Sequence, residues 1–264
     1  MAQPLLLTRS HSCRLVCGTL FLFFGLTGCE PAPSPPPTLS PQADAGEPVP
    51  ANDAGASEMH IDLQSWTTYL ALGSSSTVGA GASEPDHTGY VPLLLANLQS
   101  FAPGLRLVNR GQGGARISSY LSVLDELVAL QPDVVTVLPF TDYVRTSTDD
   151  FEAGYTQLID ALANAGAQIW MGDLRIDPEL LCGVGSGPGG CYGEADFRML
   201  QEKNERLAAM AATRPALHVV GILDQNVAHP EFVAADGHPN DAGHQYLADS
   251  FWEHIAQEAQ LSQP

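Results

Sequence analysis

Ala71-Leu72-Gly73-Ser74-Ser75-Ser76-Thr77-Val78-Gly79 is the stretch whose reading decides the fold. An apolar run, Thr68 to Leu72, stops at a glycine, and three serines follow it. Serine is a favoured residue at the start of a helix, so the stretch reads as a strand running into a helix through a tight polar turn. The same alternation continues down the chain. Leu105 to Val108, Val134 to Leu138, Gln168 to Met171 and Leu217 to Val220 are further short apolar runs. Tyr90 to Ser100, Ser118 to Leu130, Phe151 to Ala165 and Phe197 to Ala212 separate them, with apolar residues recurring at helical spacing (Leu121, Leu124, Val128; Leu158, Leu162). A last helix is expected from about Asp241, with Leu247, Phe251 and Ile255 on one stripe.

Strands alternating with helices predict a three-layer α/β/α fold with a five-stranded parallel sheet. Right-handed crossovers and five strands suit a flavodoxin-like order, with ligands bound at the carboxyl ends of the strands. Polar groups gather at those ends. Asn109-Arg110-Gly111-Gln112-Gly113-Gly114 follows the second strand, where glycines allow close approach of backbone N–H groups. Pro139-Phe140-Thr141-Asp142-Tyr143 follows the third. Asp236-Gly237-His238-Pro239-Asn240-Asp241-Ala242-Gly243-His244 places an acid, a histidine and a helix start in one loop, as an oriented general base requires. The turn after the first strand has neither a P-loop nor a complete G-x-G-x-x-G, and the chain has no G-x-S-x-G elbow.

Taken in order, these blocks resemble the SGNH/GDSL hydrolases. Gly73-Ser74-Ser75 is similar to that family's Gly-Asp-Ser, Asn109 to Gly114 to its Asn-x-Gly-x-x-Gly, and His238-Pro239 to its closing His-Pro. The resemblance implies a serine esterase with Ser75 as nucleophile and His238 as base. It places an oxyanion hole on the backbone N–H groups of Ser75 and Gly114, and requires no metal or organic cofactor. Three departures stand out. Ser74 replaces the motif's Asp, and Thr141 stands where the family has an amide-donating Asn. Asp236 lies two residues before His238 rather than three. In an extended segment residues two apart face the same way, so Asp236 is the expected acid, with Asp224 and Asp241 as weaker substitutes. Short acyl or carbohydrate-linked esters are the expected substrates. A catalytically weak or inactive surface-binding module is the alternative. A metal site using His229, His238 and His244 ranks below both.

The ends and the composition add a location. Arg9 and Arg14 precede the mostly apolar run Leu15 to Leu26, and Leu26-Thr27-Gly28-Cys29 resembles a lipobox. Residues 1–28 are thus expected to be a signal peptide, with Cys29 carrying lipid. Residues 29–58 are expected to form a disordered tether, since eight prolines fall between Glu30 and Glu58 with almost no large apolar side chain. Residues 59–264 would form the hydrolase domain, a monomer anchored to the bacterial cell envelope. Only two of the 11 Lys and Arg precede Cys29, and none of the 30 Asp and Glu does. The mature chain is therefore near −21, nine basic against 30 acidic residues, which argues against nucleic acid as a partner. Cys182 and Cys191 flank the glycine-rich loop Gly183 to Gly190, and a disulfide between them is expected after export.

Overall fold

A computed structural model describes residues 61–175, 194–223 and 230–260 of the 264-residue chain. The five expected strands form one parallel sheet: β1 (Thr68–Gly73), β2 (Arg106–Asn109), β3 (Val134–Leu138), β4 (Gln168–Arg175) and β5 (Leu217–Leu223). Their order is β2-β1-β3-β4-β5, the flavodoxin-like arrangement. In register, Leu70 of β1 faces Val108 on one side and Val135 on the other.

Strand side chains alternate between two cores. Leu70, Leu72, Val135, Val137, Ile169 and Met171 bury into one face of the sheet. Tyr69, Ala71, Val134, Leu138 and Trp170 bury into the other. The first core is covered by α4 (Ile117–Leu121), α5 (Leu124–Ala129), α7 (Thr148–Asn164) and α8 (Glu194–Ala211). The second is covered by α3 (Tyr90–Gln99) and α9 (Asp241–Glu258). Being buried on both faces, the strands read as apolar runs rather than as alternating patterns.

Three short helices, α1 (Ser75–Val78), α2 (Pro85–Thr88) and α6 (Phe140–Arg145), occupy connections where periodicity is too brief to detect. The helix expected over residues 118–130 is instead two helices. The Ser122 hydroxyl donates to the Ser119 carbonyl at 2.7 Å, and Val123 leaves helical geometry at ψ 22°. Serine bonding its own backbone competes with the helical ladder at that point.

The break leaves Tyr120 free to serve β1. Its hydroxyl donates to the Gly73 carbonyl at 2.5 Å and accepts from the Gly73 N–H at 2.9 Å. Gly73 has φ +155°, and a side chain there would collide with Thr77 Oγ1 and the Leu138 carbonyl. The strand can therefore end beside β3 and turn at once into the serines.

Candidate active site

The serine turn is built from backbone and Thr77. The N–H groups of Thr77 and Val78 donate to the Ser74 carbonyl, and the Thr77 hydroxyl shares a 2.9 Å hydrogen bond with that of Tyr90. Ser74 is buried, whereas Ser75 is half-buried at the carboxyl end of β1.

Asn109 holds the second loop against this turn. Its side-chain amide donates to the Thr77 carbonyl at 2.9 Å, and its Oδ1 accepts the Gly111 N–H at 2.8 Å. Gly111 lies so close that a Cβ would sit 2.8 Å from Thr77 Cγ2. Gly114, at φ +70°, is exposed further along the same loop.

His238 arrives from the other end of the chain. The segment 234–237 forms a tight turn, with the Gly237 N–H donating to the Ala234 carbonyl at 2.9 Å and Gly237 at φ +84°. The route from Asp236 to His238 is thus a left-handed glycine turn rather than the extended segment expected from the spacing. Val233 bridges to Pro239, and the Asn240 side chain caps α9 by accepting the Gly243 N–H. Asp241 accepts the N–H and hydroxyl of Ser83 at 2.7 and 2.6 Å and the Thr88 hydroxyl at 2.8 Å. Its carboxylate is fully engaged in tying α9 to residues 83–88.

The two ends meet at the sheet's carboxyl edge. Ser75 Oγ and His238 Nε2 lie 3.0 Å apart, though 163 residues separate them in sequence. Asp236 Oδ2 stands 3.1 Å from His238 Nδ1, on the opposite side of the ring. That oxygen lies off the N–H direction, so the two groups are in close contact without a linear hydrogen bond. The Asp236 Oδ1 accepts the His238 backbone N–H at 3.2 Å. That backbone donor, and then the ring, hold the Asp236 carboxyl below the usual carboxylate range. Its side chain is 62% exposed, so water screens the charge.

Of the residues singled out from sequence, Ser75, His238 and Asp236 converge. Thr141 is half-buried at the start of α6, and its hydroxyl has no hydrogen-bond partner among the described residues. His244 does not join them. Its Nδ1 accepts the Tyr90 N–H at 3.2 Å and its Nε2 faces the Ala80 carbonyl at 3.0 Å, which occupies both ring nitrogens. Burial pulls its pKa down. Cys29, Cys182, Cys191, Asp224 and His229 lie outside the described residues.

Two positions escaped the sequence reading. Gly81, at φ +89°, packs against the histidine loop so tightly that a Cβ would sit 2.2 Å from the Pro239 carbonyl and 2.8 Å from His238 Cβ. Asp142 is 1% exposed and ties the loop after β2 to the start of α6. It follows Thr141 directly, and it accepts the Ile117 N–H at 2.9 Å, three residues beyond Gly114. It also accepts the hydroxyls of Tyr155 at 2.7 Å and Thr146 at 2.6 Å. Lys203, fully buried, donates to the carbonyls of Asp142, Tyr143 and Thr146, closing the C-terminal end of α6.

Residues 71–246 match the model of the GDSL-like lipase/acylhydrolase family. No curated protein sequence matches the chain. Among solved structures, a psychrotrophic esterase from Pseudoalteromonas sp. superposes with a TM-score of 0.56 at 19% identity, covering 72% of this chain and 97% of that one. An acetylxylan esterase from Geobacillus stearothermophilus gives 0.58 at 19% identity, covering 76% and 98%. A second acetyl xylan esterase gives 0.54 at 20% identity, covering 71% and 99%.

Proposed function

Because the chain belongs to the GDSL-like lipase/acylhydrolase family, we propose that it is a serine esterase working through Ser75, His238 and Asp236. The observation that carries this reading is the 3.0 Å contact between Ser75 Oγ and His238 Nε2. A hydrogen bond between a strand-end serine and a histidine oriented by a carboxylate is the arrangement an activated nucleophile needs. With the ring proton on Nδ1 facing Asp236, Nε2 is free to accept the serine proton.

In the proposed reaction, Ser75 Oγ attacks the ester carbonyl as its proton passes to His238 Nε2. The carbonyl oxygen becomes the oxyanion, held by the N–H groups of Ser75 and Gly114 with the Thr141 hydroxyl as third donor. The C–O bond to the alcohol then breaks, and the alcohol leaves with the proton from His238. Water repeats the sequence on the acyl-enzyme, releasing the acid and restoring Ser75. Replacement of an amide by the shorter Thr141 hydroxyl favours slow turnover, since one oxyanion donor is worth roughly 10²–10³ in rate.

Short acyl esters, including those on carbohydrates, are the proposed substrates. Their support is that two structural neighbours are acetyl xylan esterases. The leader and proline-rich stretch support an exported, lipid-anchored enzyme held on a tether, and the Cys182–Cys191 pair supports a disulfide-closed loop.

The test is hydrolysis of 4-nitrophenyl acetate by the full chain against its Ser75→Ala variant. A loss of roughly 10³-fold or more in the variant is expected. Equal activity in both, or none in either, overturns the mechanism and leaves a non-catalytic binding module.

A further inference from the structure

The chain's formal charge is −19, and most of the basic residues among those described meet acidic or polar partners. Arg175 pairs with Asp173, Arg206 with Glu152 and Glu202, and Arg214 with Asp160. Lys203 is sealed against backbone carbonyls, and Arg106 reaches the Thr68 hydroxyl. Arg116 and Arg145 are exceptions. Both are exposed, and like that of exposed Arg110 neither side chain has a hydrogen bond or ion pair among the described residues.

These two arginines line one cavity of about 450 Å³ between α4, α6 and α7. Ser118 and Gln157 add polar groups to it, while Ile117 and Leu121 supply apolar wall. Asp150 also borders it, but its carboxylate accepts the Ser147 hydroxyl at 2.7 Å and pairs with neither arginine. The volume lies within the range of small-molecule sites and suits one or two sugar units.

Its position ties it to the reacting centre. Arg145 follows Thr141 by four residues in α6, which puts both on one helix face about 6 Å apart along the axis. Arg116 stands two residues beyond Gly114 in extended geometry, at most about 7 Å along the chain. The unpaired guanidinium groups therefore border the Gly114 loop and the Thr141 helix, which carry two of the three proposed oxyanion donors.

We propose that this cavity is a substrate subsite that takes an anionic group, a carboxylate or a phosphate, borne by the ester. Arg116 and Arg145 are its recognition residues. Guanidinium groups bind such oxyanions through paired N–H donors, and the surrounding negative charge of the protein leaves this cavity as a local attractor. The substrate class thus narrows from esters in general to acidic esters, such as an acylated uronic acid unit or a sugar phosphate. This assignment rests on the esterase reading for its position, but its test does not depend on turnover.

The experiment is calorimetric titration of the full chain carrying Ser75→Ala, using trigalacturonate, inorganic phosphate and neutral xylotriose as probes. Binding of an anionic probe at least about 10-fold tighter than xylotriose is expected, falling about 10-fold or more when Arg116→Gln and Arg145→Gln are combined. Arg145→Lys should keep part of the affinity, because it keeps the charge. Response to trigalacturonate alone assigns a sugar carboxylate, and response to phosphate alone a phosphate ester. Binding of neither anion overturns the subsite, as does affinity unchanged by the double variant. Far-UV circular dichroism and the unfolding midpoint check that both exposed replacements leave the fold intact, and single variants replace the double if they do not. Anion binding with an inactive wild type would keep the subsite and sink the esterase. An active wild type without anion binding would do the reverse.

Discussion

Truncating Asp142 should be among the most damaging single changes in this molecule. Its carboxylate is 1% exposed and accepts three hydrogen bonds, from the Ile117 N–H and the hydroxyls of Tyr155 and Thr146. In Asp142→Ala the first two donors stay buried without an acceptor, since Ile117 and Tyr155 are 5% and 1% exposed. Each stranded buried donor costs about 1–3 kcal/mol, whereas the half-buried Thr146 can turn to water. The sum is about 2–6 kcal/mol, and loss of the anion near buried Lys203 places the expectation at about 3–5 kcal/mol. Against a typical total of about 5–15 kcal/mol this is severe. Urea unfolding at 25 °C, with the denaturant slope compared between variants, measures it. Tyr155→Phe removes one of the two stranded donors. The double variant should therefore recover about 1–2 kcal/mol relative to the sum of the singles. A cost below about 1 kcal/mol for Asp142→Ala, or strict additivity with Tyr155→Phe, would refute the reasoning. Asp142→Ala should also depress turnover by the proposed esterase, because the same carboxylate holds the segment after Gly114 to the helix that starts with Phe140 and Thr141.

Gly81→Ala should reduce turnover by about 10²-fold while costing only about 1–3 kcal/mol of stability. The added methyl meets the Pro239 carbonyl and His238 Cβ, and a 1 Å displacement of the base is enough for such a loss; steady-state rates at matched folded fraction check it. Asp236→Ala should lower kcat/KM by about 10- to 100-fold, not the roughly 10⁴-fold of a buried triad acid, because its charge is exposed and its contact with His238 is off-line. A loss near 10⁴-fold in the same assay would contradict that account. Burial holds the pKa of His244, and likewise that of His218, below the ordinary value. The unfolded chain therefore takes up protons first as pH falls. Their contribution is undiminished above about pH 6.5 and declines as pH drops from there toward the folded-state values. Urea midpoints at pH 7.5 and 5.0 should fall less in His244→Gln than in wild type, and an equal fall would remove His244 as a cause.

The sheet was legible because its signals are local. Strands buried on both faces show as apolar runs, and each of the five fell within a few residues of its expected place. Handedness then left few possible orders, and the flavodoxin-like one expected for five strands is the one found. Ser75, His238 and Asp236 stood out because serine turns at strand ends and histidine loops carry short, recognisable blocks. The broken helix at Ser122 was not, since its apolar spacing runs on through the break. What breaks it is one serine bonding its own backbone, with Tyr120 beside it reaching to Gly73.

Other features had no sequence signal at all. Lys203 sits between Glu202 and Asn204 in a polar helix and reads as solvated, yet it is fully buried against the end of α6. Asp142 reads only as a member of the polar group that follows β3. Only packing reveals that its carboxylate ties α6 to Ile117 of α4 and Tyr155 of α7. By itself the sequence determined which residues could do chemistry and at which strand ends they stand, because residue type and periodicity are properties of short segments. Tertiary structure decided which of them touch. The 3.0 Å approach of Ser75 to His238, the glycine turn that brings Asp236 beside Nδ1 of the ring and the two arginines left unpaired at one cavity are relations between segments up to 163 residues apart. No local pattern encodes such distances; only closure of the sheet and its helices fixes them.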